Sequence, residues 1–427
     1  MKKLMNMRRF NYLSMLIILV SVVFMFSVVS YAKTTVTFWQ AGGTKEMVST
    51  VRGFIDDFEK ENPDITIKYQ AIPWGEDPHF KYQTSIVGGT VADVISMGDP
   101  FQHVLAGNGA LEPLDKYIPE ETRKDFTTDT LNRCKYNGEL ISLPWYASVR
   151  ALLYRKDLFK EEGIPEPDGT WTWDDFLNYS KKLTKDTKGD GVIDQYGFGT
   201  SGKYVSQSMP FVIQNGGNFI DEENNIATAT EPEVVEAIQF FVDLSREYKV
   251  TPPGITTMDL REITKMFAEG NIAMYVDCED SALQLSNEPG LKGKVGVGLL
   301  PYKKQHASYA GADVLGITRQ SKNKEAAWRF VEYMLSRNAM AKYCEVSGFT
   351  PVRESILEYE VFQTPLKKAF LKQLSAGSFF YYKSEQASAF TNIIAPEIQE
   401  AIEGKKSVED ALNTIQKNLE KTINNAK

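Results

Sequence analysis

The sequence predicts an α/β protein of two lobes, each a mainly parallel sheet flanked by helices. Three observations carry that expectation. Strand-like and helix-like apolar periodicities alternate from Val36 onward. Of the 427 residues, about 395 follow an N-terminal leader, too many for one typical core and ample for two. A glycine-rich loop, a strand run and an amphipathic helix then recur late, from Tyr309 on.

The leader occupies residues 1–32. Lys2, Lys3, Arg8 and Arg9 precede an uncharged apolar stretch at 13–29, and Ser30-Tyr31-Ala32 has the small residues that a signal cleavage site needs. The stretch is near the lower limit for a membrane span, so an uncleaved anchor is the competing reading. The first cysteine is Cys134, so no lipid-carrying cysteine stands at the cleavage site, which fits a periplasmic protein. The formal net charge is −8, and more negative without the basic leader. An acidic chain with no basic cluster argues against nucleic acid as a partner. Cys134, Cys278 and Cys344 are widely spaced and form no C-x-x-C, so they read as free thiols before they read as a zinc or redox site.

Val36-Thr37-Phe38-Trp39 is a strand, and Met47, Val51, Ile55 and Phe58 follow at helical spacing up to the stop Asn62-Pro63-Asp64. Ile65, Ile67 and Tyr69 alternate as a strand. Phe80, Ile86 and Val87 suit a helix closed by Gly88-Gly89, and 92–97 is a short buried strand. In such sheets ligands bind beyond the carboxyl ends of the strands. Those ends carry Trp39-Gln40-Ala41-Gly42-Gly43, then Pro73-Trp74-Gly75, then Gly98-Asp99-Pro100-Phe101. Each loop combines an aromatic ring, a glycine and a hydrogen-bonding group. Covering a helix end is the alternative role for each tryptophan.

Residues 138–176 read as strand, aromatic-lined bend, strand and short helix. The bend holds Pro144, Trp145, Tyr146 and Ser148, and Arg150 opens the second strand. Trp171 and Trp173 are expected to pack. The middle is mostly helical, at 174–183, 234–248 and up to the glycine stop Gly270. The run 271–276 is a strand before Asp277-Cys278-Glu279-Asp280. Residues 347–352 read as a further crossover, and Ser407 with Asp410 starts the last helix.

These segments resemble the bacterial extracellular solute-binding proteins of the sugar-binding type, the family of the maltose-binding proteins. The likeness rests on LPWYASVRALLYRKDLF at 143–159, F-x-EG-x-IAM from Phe267, and YAGADVLGI…SKNKEAAWRF from Tyr309. It implies the type II periplasmic-binding-protein fold. The lobes are then expected as 33–146 with 310–348, and 147–309 with 349–427. It also implies capture of a mono- or oligosaccharide by hinge closure, and delivery to the membrane permease of an ABC importer by a monomeric, non-enzymatic, cofactor-free protein. The ligand positions that it implies are Trp39, Trp74, Asp99, Tyr146, Ser148, Arg150, Asp277 and Asp313, with Tyr381 from the aromatic run 379–382. Ser148 departs from the family, where Asp or Glu is common, and this weakens any choice of sugar.

Other chemistries fare less well. The match to G-x-G-x-x-G at Gly197, Gly199 and Gly202 follows a polar, turn-rich stretch and lacks the buried strand that a dinucleotide site requires. Asp186, Asp190 and Asp194 occupy calcium-loop positions, but Lys188 stands at position three and Gly197 where a bidentate Glu is needed, so a structural loop is the better reading. His79, His103 and His306 lack zinc-site spacing. An exported hydrolase using two carboxylates, such as Asp99 with Asp277 or Glu279, is the rival class. A polyol phosphate or a peptide in the same fold is a third, and the lack of a Lys/Arg cluster in the loops weakens the phosphate.

Overall fold

The computed structural model describes residues 33–377 and 387–425. The expected leader and the aromatic run with Tyr381 lie outside the described residues. Nine strands build the two main sheets: β1 (Thr34–Ala41), β2 (Ile65–Ile72), β3 (Val94–Gly98), β4 (Leu143–Val149), β5 (Ala151–Arg155), β6 (Tyr196–Gly199), β7 (Ile272–Asp277), β8 (Val295–Gly298) and β9 (Ala310–Ile317). The first sheet has the order β2-β1-β3-β9-β4, the second β8-β5-β7-β6.

The sheets are mixed, for a topological reason. Strands β1, β2 and β3 pair in parallel, whereas β9 runs antiparallel to both β3 and β4. In the second sheet β5 runs antiparallel to β7 and β8, and β6 is parallel to β7. The odd strand of each sheet is the one that enters from the other lobe. It starts at the cleft, where its neighbours end. Each sheet therefore points the carboxyl ends of its remaining strands at the same gap.

Local signals explain the elements. Helix Lys45–Glu61 starts where the Thr44 hydroxyl accepts the Met47 N–H, and it buries Met47, Val51, Ile55 and Phe58. Each of those side chains contributes about 1.5–3 kcal/mol. Strand β1 runs two residues beyond the expected end, so Gln40 and Ala41 lie within it along with Trp39. Residues 143–149 form one continuous strand instead of a bend. Pro144 is tolerated because β4 is an edge strand.

The first core gathers residues from Val36 to Ala147, then Val314 to Phe362. The second sheet has a core on each face. One contains Phe176, Phe198, Phe241 and Ile415; the other contains Val149, Phe267, Tyr275 and Phe370. The first two crossings fall at 149–151, a few residues beyond the boundary expected after 146, and at 309–310. The third differs from the boundary expected after 348. Phe349, Val352, Ile356 and Phe362 stay in the first core, Thr350 bridges Ala147, and the Phe349 ring lies flat on Tyr146 at 4.4 Å. The chain crosses between Phe362 and helix Pro365–Ala376, which packs on β5 and β8. Trp171 and Trp173 are buried packing residues. The three cysteines are free thiols. Among the described residues no helix is long and apolar enough to cross a membrane.

Candidate functional site in the interlobe cleft

Asp99 is the first residue of helix Asp99–Gly107, directly after β3. It is 1% exposed. Its Oδ2 accepts from Nε of Arg133 at 2.5 Å, while Oδ1 has no hydrogen-bond partner. Burial raises its carboxyl above the usual range, and the Arg133 charge opposes that rise. A buried carboxylate oxygen facing no donor is costly unless a ligand supplies one.

Strand register brings the next group alongside. Asp313 on β9 stands opposite Gly98 on β3 and Tyr146 on β4. The Tyr146 hydroxyl donates to the Asp313 carboxylate. Burial pushes the Asp313 carboxyl up to about 6. The Tyr146 hydrogen bond pulls against this, and the nearby Asp99 charge adds to it. Ser148 pairs with Gly311 two residues further along β4 and is half-buried.

The second lobe contributes Arg150 and Asp277. Arg150 sits in the first crossover, its guanidinium 4.9 Å from the Tyr309 ring centre, and its N–H donates to the Tyr309 carbonyl at 2.9 Å. Asp277 ends β7 opposite Ala151 and is buried. Burial raises its carboxyl, and Arg150 opposes the shift. Tyr309 joins the halves. Burial raises its hydroxyl pKa, and that hydroxyl also feels the charges of Asp99, Arg150, Arg133 and Asp313.

The fold thus brings Asp99, Tyr146, Arg150, Asp277 and Asp313 toward the same region between the lobes. The two tryptophans lie further out. Trp39 stacks on Tyr82 with ring centres 6.1 Å apart, under the Lys81 ammonium, and so packs beneath helix Pro78–Val87. Trp74 is 49% exposed. Its indole rests on Gly42, where an added Cβ would come within 2.1 Å, and Gly42 also holds a positive φ of 68°. Trp74 meets the His79 ring edge-on, and His79 stacks on Phe101 at 4.0 Å. An aromatic wall therefore runs from Trp74 to the helix that carries Asp99. Burial holds His79 down at about 4, so its ring is neutral at pH 7. Arg133, Tyr309 and His79 escaped the sequence reading. Arg133 meets Asp99 across 34 residues, and no local pattern marks such a pairing. Tyr309 is the first residue of the return segment and had a family signal.

Metal and hydrolytic readings find less support. Asp186 accepts four backbone N–H groups of its own loop, from Lys188, Gly189, Asp190 and Gly191. Asp194 is engaged by Thr187 and Lys188. Among the described residues no cluster of three His, Cys, Asp or Glu is placed to hold a metal. Glu279, the other carboxylate considered for hydrolysis, faces the Val149 N–H and the Thr350 hydroxyl.

The fold and site define a two-lobed α/β binding protein whose polar residues converge between the lobes. The sequence profile of the bacterial extracellular solute-binding proteins matches residues 41–341, and the chain belongs to that family. A binding protein of Brucella abortus is 29% identical over 71% of this chain and 73% of its own length. The multiple sugar-binding protein of Streptococcus mutans is 25% identical, covering 71% and 72%. The sn-glycerol-3-phosphate-binding periplasmic protein of Shigella dysenteriae is 23% identical, covering 76% and 75%. Among solved structures, the solute-binding protein of Thermotoga lettingae with bound α-D-tagatose superposes with a TM-score of 0.83 at 25% identity, over 92% of this chain and all of that one.

Proposed function

We propose that this protein captures a neutral mono- or oligosaccharide between its lobes and delivers it to the membrane permease of an ABC importer. It does so as an exported, periplasmic monomer that performs no chemistry on the ligand. The observation that carries the reading is the interlobe set of Asp99, Asp313, Tyr146, Arg150 and Asp277, with the Asp99 Oδ1 buried and unpartnered. Carboxylates accept from sugar hydroxyls, and the aromatic wall suits the C–H face of a pyranose. Closure about the three crossings buries the sugar. The Streptococcus and Thermotoga relatives bind sugars by name, which supports the class.

The Shigella relative favours a second reading, a polyol phosphate. Charge opposes it. Three buried carboxylates line the set against two guanidiniums, of which Arg133 is paired with Asp99 and Arg150 lies over Tyr309. A phosphate dianion would enter a net negative pocket. A thermal-shift panel separates the readings, because a ligand that binds only the native state raises the melting temperature. Neutral sugars are expected to shift it and sn-glycerol 3-phosphate is not. A shift with the phosphate alone would reverse the choice, and cleavage of an oligosaccharide would overturn the absence of chemistry.

A further inference from the structure

Two buried charged residues outside the ligand set tie the lobes together. Glu279 opens helix Glu279–Asn287 of the second lobe, and Lys367 lies on helix Pro365–Ala376. Both reach into the first lobe. The Glu279 carboxylate accepts the Val149 N–H at 3.2 Å, at the end of β4, and the Thr350 hydroxyl at 3.3 Å. The Lys367 ammonium donates to the carbonyls of Cys344 (3.1 Å), Gly348 and Phe349 (2.9 Å), at the carbonyl end of helix Arg337–Ser347. An anion at a helix start and a cation at a helix end are each favoured by the helix dipole. Gly348, with a positive φ of 88°, brings the two backbones close: an added Cβ would stand 2.9 Å from the Glu279 carbonyl oxygen.

We propose that Glu279 and Lys367 are positioning residues that never touch ligand, and that they form an interlobe clamp holding the protein toward its closed arrangement. Glu279 and Lys367 are both buried. Burial raises the Glu279 carboxyl, and its own helix N–H, the Val149 N–H and the Lys367 charge counter that rise. Burial likewise lowers the Lys367 ammonium, and Glu279 opposes it. Neither charge is tolerable in the interior without the partners that the other lobe supplies. Rotating the lobes apart at this point would separate each charge from those partners. The first lobe is drawn toward the second here, and helix Asp99–Gly107 also meets helix Ala387–Ile402 across the cleft.

Glu279→Gln keeps the shape and one acceptor oxygen but removes the charge. Lys367→Met removes the cap on the three carbonyls. Thr350→Val is the mildest change, removing only the side-chain partner of Glu279. Small-angle X-ray scattering of the ligand-free full protein reads the lobe arrangement without needing a sugar, so this test stands even if the sugar reading fails. Glu279→Gln and Lys367→Met are expected to increase the radius of gyration over the unaltered protein, with Thr350→Val intermediate. Where a sugar is in hand, the first two variants should also weaken its Kd about tenfold or more, a loss of about 1.4 kcal/mol. A fall in melting temperature with the radius of gyration unchanged in all three variants would overturn the clamp and leave these residues a purely structural role.

Discussion

Replacing Asp99 with Asn changes one oxygen to an amide nitrogen in a site that is 1% exposed. The Oδ2 already accepts from Arg133 at 2.5 Å, so the atom left for ligand is Oδ1. A hydrogen bond to a charged group contributes about 1.5–3 kcal/mol. With tenfold in Kd for every 1.4 kcal/mol, Asp99→Asn should weaken sugar binding roughly 10- to 150-fold. Isothermal titration with the sugar that gives the largest thermal shift measures this directly. The companion variant Arg133→Met separates folding from binding. It leaves the buried Asp99 charge without its ion partner, a loss of about 3–5 kcal/mol in stability, so its melting temperature should fall well below that of Asp99→Asn. If Asp99→Asn binds within threefold of the unaltered protein, Oδ1 does not face the ligand and the site reasoning fails.

Four further outcomes rest on the same geometry. Asp313 must be ionised to accept two donors, and burial has pushed it up to about 6, so Kd should be flat above pH 7 and rise toward tenfold per pH unit below 6; a flat profile to pH 5 would contradict this. The sign for folding is opposite. A carboxyl raised in the native state makes that state bind more protons between about pH 4 and 6, so this group adds stability as pH falls through that window, which urea unfolding at several pH values would register. Tyr146→Phe removes the donor to Asp313 but keeps the ring on Phe349, so the pH midpoint of binding should move up, and the unpaired buried carboxylate should cost about 1–3 kcal/mol of stability. Trp74→Ala should leave the melting temperature within a few degrees, since the ring is half exposed, while weakening sugar binding severalfold and diminishing the ligand-induced change in tryptophan fluorescence.

Local signals in the sequence were enough to place most helices and strands. Met47, Val51, Ile55 and Phe58 repeat at helical spacing and are the residues that helix Lys45–Glu61 buries. The convergence of Asp99, Tyr146 and Asp313 was legible through the strand ends and the family motifs. What was not legible depended on distant pairing. The 349–362 segment follows the glycine stop Gly348 and contains Pro351, a pattern that reads as a crossover. It is held in the first lobe by Phe349 on Tyr146 and Thr350 opposite Ala147, contacts that no local pattern announces. Pro144 looked like a strand stop because its tolerance at a sheet edge depends on which strand becomes the edge. Arg133 and Lys367 carried no motif, since each acts on a partner brought near only by the finished fold. Gln40 and Ala41 were read as loop residues because β1 continues two residues past Trp39, the end of its apolar run.

The most direct test of the account is a melting-temperature measurement of the purified protein against a panel of neutral mono-, di- and trisaccharides, with sn-glycerol 3-phosphate alongside. At least one neutral sugar is expected to raise the melting temperature in a concentration-dependent way, Asp99→Asn to abolish or sharply reduce that shift, and the phosphate to give none. No shift with any neutral sugar, or a shift with the phosphate alone, would contradict it.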